Sequence, residues 1–101
     1  MSIKNRITPQ YRPYNIFLAQ VFLEIDDFKQ QIIKNSLLEM KLTRREIEVC
    51  LLVMEGYANK DISNSMNISL GTVKINMNRI FEKLNLDDRL HLNVLLHQLI
   101  K

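Results

Sequence analysis

Apolar residues recur at spacings of three and four along most of this chain, and almost nothing alternates strictly, so the pattern predicts helices without a sheet. From Tyr14 to Met40, the residues Leu18, Val21, Ile25, Phe28 and Ile32 form the seam of a coiled coil or helical hairpin. That seam then drifts to Ile33, Leu37 and Met40. A second helix opens at Thr43, where Glu46 three residues on completes a capping box. Its inner face is expected to be Ile47, Cys50, Leu51 and Met54, and Gly56 supplies the left-handed stop. A short third helix, Asn59 to Met66, turns Ile62 and Met66 inward. Asn67-Ile68-Ser69 reads as a tight turn, with Ser69 placed to cap a fourth helix.

That fourth helix, about 70–84, carries Leu70, Val73, Met77, Ile80, Phe81 and Leu84 on one stripe. Ile75 falls nearly opposite the stripe, in the company of Gly71, Thr72, Lys74, Asn78 and Arg79. A last helix begins at Asp87 or Asp88 and runs to about Ile100. Leu92, Leu95, Leu96 and Leu99 give it one broad apolar face, while Leu90, Val94 and His97 form a second line on another side. Two short helices around a tight turn, the second longer and polar on its free face, describe a helix-turn-helix. The expected fold class is therefore all-α. Residues 1–40 are a lead-in and long amphipathic helix, a candidate dimerisation element, and 41–101 a four-helix domain.

Composition narrows the chemistry. The net charge of +3 over 101 residues permits a polyanionic partner without demanding one. A single cysteine excludes an internal disulfide framework, and Cys50 reads as a buried structural thiol. His91 and His97 have no clustered carboxylate or thiol, so neither a metal nor another cofactor is expected. No nucleophile–base pairing or glycine-rich phosphate loop points to an enzyme. The start lacks a secretory signal, and no apolar run is long enough to cross a bilayer, which predicts a cytoplasmic protein with no membrane partner.

The stretch "LTRREIEVCLLVMEGYANKDISNSMNISLGTVKINMNRIFEKL" resembles the LuxR-type (GerE-type) helix-turn-helix domain of bacterial transcription regulators. The matching residues include Leu42-Thr43, Arg45-Glu46, Gly56, Asn59-Lys60, Ile62, Ile68-Ser69, Thr72-Val73-Lys74, Ile80 and Lys83-Leu84, and Arg89 takes the arginine place that opens the last helix. The resemblance implies double-stranded DNA as partner, with the fourth helix in the major groove. Lys74, Ile75 and Asn78 would then approach base edges, while Asn59, Lys60 and Lys83 are backbone-contact candidates. It also implies a homodimer through Leu90 and Val94, to which the spacing adds His97, and RNA polymerase as a further candidate partner.

Groove chemistry then accounts for Ile75, because an apolar side chain reads a thymine methyl by contact. Lys74 can donate to guanine, and Asn78 can pair with an adenine edge or a phosphate. Gly71 lets the backbone come close to DNA, and Ser69 and Thr72 suit a phosphate at the helix start. Arg79 completes the backbone-contact set. Several residues depart from the family pattern. Ala58 removes the usual capping hydroxyl of the third helix, leaving Asn59 to serve; Asn76 replaces a frequent histidine, and Asn78 stands where some members have lysine.

These departures keep open an alternative, a protein-interaction module that dimerises with a DNA-binding relative. A sigma-factor region 4 shares similar geometry but would need a promoter-melting region that this chain lacks. The helix from Tyr14 to Met40 must bury its stripe on its own domain, on its mate in a dimer, or on an upstream domain, and the dimer is preferred. The basic lead-in, Lys4, Arg6 and Arg12, is a candidate DNA-following arm.

Overall fold

A computed structural model describes the backbone of residues 13–101 and the side-chain surroundings from residue 26 onward. Among the described residues the chain forms α-helices and no strand: α1 (Pro13–Glu39), α2 (Arg44–Met54), α3 (Asn59–Met66), α4 (Leu70–Leu84) and α5 (Arg89–Gln98). It divides into two units, residues 1–31 and 32–101. The arm of Lys4, Arg6 and Arg12 lies outside the described residues, as do the side chains of Leu18, Val21 and Ile25 in the α1 seam. In the first unit Phe28 is exposed.

The second unit takes in the last turns of α1, because Ile33 and Leu37 are buried in its core. The drift of the seam towards Ile33 and Leu37 is thus where α1 joins that core, while Met40 stays at the surface. The chain leaves α1 through Lys41, which takes a left-handed conformation. It enters α2 through the expected capping box: the Thr43 amide donates to Oε1 of Glu46 at 2.8 Å, and the Glu46 amide to Oγ1 of Thr43 at 3.2 Å. The buried face of α2 is broader than the expected one. Ile47 and Cys50 are inside, Val49 and Val53 join them, and Leu51 and Met54 are only partly covered. The reason is tertiary, since α2 packs against α3, α4 and α5.

Gly56 (φ +91°) closes α2 in a conformation that favours glycine. Ala58 then stands at the cap of α3 with no side-chain hydrogen bond. Asn59 does not take over as cap, contrary to expectation. It is the first helical residue, and its side chain is engaged by Arg89.

In α4 the stripe shifts by one row. Val73, Asn76, Met77 and Ile80 are buried, a spacing of i, i+3, i+4 and i+7, and Leu70 is 41% exposed. Helical side chains lean towards the N-terminus, so Leu70 in the first turn overhangs the helix end instead of reaching the core. Asn76 is accommodated because its Nδ2 donates to the Thr72 carbonyl at 3.1 Å. Asp88 caps α5, accepting from the His91 amide at 3.0 Å, and Leu92 and Leu96 enter the core.

Candidate nucleic-acid interface

The geometry of the α3–α4 unit is set by its turn. Asn67 adopts the left-handed conformation (φ 57°), and the Ser63 hydroxyl donates to the Ile68 carbonyl at 2.5 Å, tying the end of α3 to the start of α4. Ser69 caps α4: its Oγ accepts from the Thr72 amide at 3.0 Å and lies 2.9 Å from the Thr72 hydroxyl. The Thr72 amide is therefore occupied, and the candidate phosphate donors at this end are the Leu70 and Gly71 amides and the two hydroxyls.

With Val73, Asn76, Met77 and Ile80 inward, α4 turns Gly71, Thr72, Lys74, Ile75, Asn78 and Arg79 to solvent. Ile75 is 52% exposed. Gly71 is informative because nothing inside the domain requires it. A Cβ built there would meet only Ser69 Oγ at 3.8 Å, an ordinary contact, and its φ is not positive. A glycine inside a helix costs about 1 kcal/mol relative to alanine. Glu82 shares this side of the helix and is also exposed. The spacing alone could have singled it out, since it lies two helical turns beyond Ile75.

Two expected backbone contacts have other partners. The Lys83 ammonium lies 2.7 Å from Oε1 of Glu46 and donates to the Lys41 carbonyl at 3.1 Å. Its charge is spent on a carboxylate that is 1% exposed, while Lys83 itself stays at the surface. Burial pushes the Glu46 carboxyl pKa up, but the hydrogen bonds from Lys83 and the Thr43 amide outweigh it, and the net direction is down. Asn59 Oδ1 accepts from Nη1 of Arg89 at 2.7 Å. Lys60 stands exposed beside it in the first turn of α3.

Comparison with known proteins now bears on this face. Residues 40–96 match the family model described as bacterial regulatory proteins, luxR family. The chain belongs to the luxR family. Among curated relatives, the response regulator protein VraR of Staphylococcus saprophyticus is 34% identical over 87 residues, covering 86% of this chain and 40% of that protein. VraR proteins of Staphylococcus epidermidis and Staphylococcus aureus are each 30% identical over the same shares. This luxR-family chain thus spans about 40% of the length of the curated relatives it matches. A match of 87 residues exceeds the 40–96 window, so the likeness extends into α1. No solved structure matches.

The family is one of DNA-binding regulators of transcription, which is not an enzymatic role. In this luxR-family domain the line Leu90, Val94 and His97 on α5 lies outside the core. Leu90 is 68% and Val94 49% exposed, and His97 Nδ1 lies 2.8 Å from the Asn93 carbonyl. Cys50 is fully buried, and desolvation, with a smaller push from the Glu46 charge, raises its thiol to about 12. It is a packing residue, not a nucleophile. No group of three or more metal-ligating side chains occurs among the described residues, and no helix there is long and apolar enough to cross a membrane.

Proposed function

We propose that α4 reads duplex DNA in the major groove as the recognition helix of a sequence-specific transcription regulator. Lys74, Ile75 and Asn78 would meet base edges, and Asn59, Lys60, Ser69, Gly71, Thr72 and Arg79 the backbone. The supporting observation is an outward row in which a half-exposed isoleucine lies between lysine and asparagine, on a helix whose opposite side is core. Gly71, which the fold does not require, supports close approach of a partner to the start of that row. Lys83 is left out because its ammonium holds Glu46.

A second copy is the proposed partner on paired half-sites, with Leu90, Val94 and His97 as the contact and α1 as an additional pairing element. The named relatives are response regulators, and we extend to this chain a part in signal-controlled transcription within the bacterial cytoplasm. No surface of the described residues is assigned to RNA polymerase.

The interaction-module reading draws on the same charges. With Lys83 neutralised and Glu82 on the outward side of α4, few free cations face a polyanion. Selection of bound sites from random duplexes, followed by salt titration, separates the two. The regulator should enrich a motif, with log K falling against log salt by about 0.9 per phosphate neutralised. A flat salt response with no enriched motif selects the interaction module.

A further inference from the structure

We propose that Arg89, at the start of α5, is a positioning residue that sets which end of the Asn59 amide is presented to a DNA phosphate. The inference rests on the DNA-binding reading above. The Arg89 fork spans two groups far away in sequence, with Nη1 donating to Asn59 Oδ1 at 2.7 Å and Nη2 donating to the Tyr57 carbonyl. A guanidinium has donors and no acceptor, so the asparagine must turn its oxygen to the arginine and its NH2 away. Among the described residues that Nδ2 finds no acceptor, and it is not sealed from solvent. The orientation matters, because a phosphate accepts hydrogen bonds and would be repelled by the amide oxygen.

The bland alternative is that Arg89 only ties α5 to the α2–α3 loop. Local electrostatics argue against that being its whole role. The guanidinium sits at the amino end of α3, where the helix dipole disfavours a cation, and Ala58 supplies no cap there. A nearby anion would relieve both conditions. Arg89 also precedes Leu90, so the helix proposed to pair with a second copy is the one that holds the DNA contact in place.

The test is a double-mutant cycle on the full chain, with a duplex recovered by random-site selection and folding followed by circular dichroism. Asn59→Ala and Arg89→Ala should each weaken binding about tenfold or more, the scale of a hydrogen bond to a charged group, and the double variant should lose no more than either single one. The salt slope of Arg89→Ala should equal that of the wild type. Additive losses would overturn the proposal, as would a slope lowered by about 0.9, which would make Arg89 itself the phosphate contact.

Should Arg89→Ala fail to fold, Asn59→Asp decides. It keeps the acceptor for Arg89 and removes the donor, so the domain should stay folded and bind more weakly than Asn59→Ala. Wild-type affinity in that variant would sink the proposal. Failure of the wild type to enrich any duplex would instead sink the DNA-binding reading itself.

Discussion

Oε1 of Glu46 accepts from the Thr43 amide at 2.8 Å and from the Lys83 ammonium at 2.7 Å. One carboxylate oxygen therefore closes the capping box of α2 and anchors the last turn of α4. Removing the lysine would leave a buried carboxylate without its counter-charge. Lys83→Met should cost about 1–3 kcal/mol in urea unfolding, below the 3–5 of a fully buried pair because Lys83 stays partly in water. A loss within error would make the pair ornamental.

The same pair makes stability depend on acid. Because the folded pKa of Glu46 lies below its ordinary 4.5, its contribution is complete above that value and is lost as pH falls through the folded value. Urea midpoints between about pH 6 and 3 should fall towards the acid end, and Glu46→Gln should flatten that limb. An unchanged acid limb in the variant would assign the effect to other carboxylates.

Ala58 leaves α3 without a side-chain cap. Ala58→Ser should stabilise the domain by about 0.5–2 kcal/mol, read as a higher melting temperature. A lower one would mean that the Arg89 bridge cannot share the site with a hydroxyl.

On α4 the outward residues should divide by role. Ile75→Ala or Asn78→Ala should relax base preference by about 1–3 kcal/mol at one position of the selected motif, while Arg79→Ala should weaken all sequences alike. Binding profiles across single-base variants of the motif would show the difference. A changed profile for Arg79→Ala would reverse the assignment.

Leu90 is mostly exposed on α5, so Leu90→Asp should leave the monomer folded. It should abolish cooperative binding to paired half-sites, as gel shifts on one- and two-site duplexes would reveal. Cooperativity equal to the wild type would take α5 out of the dimer contact.

Local rules were enough for much of this protein. The Thr43–Glu46 box, the Gly56 stop, the Asn67 turn and the Ser69 and Asp88 caps each depend on residues a few positions apart, and side-chain and backbone chemistry at that range is written directly in the residue order. The outward place of Ile75 also followed from helical period alone. What tertiary structure decided were the long-range pairings. Lys83 belongs to Glu46 and Arg89 to Asn59, partners thirty or more residues apart, so a lysine that reads as a phosphate contact also holds a buried carboxylate. The exchange of Leu70 for Asn76 on the buried side of α4 is of the same kind. Periodicity says which residues share a face, but only the neighbours packed on a helix determine how wide that face is and where it ends.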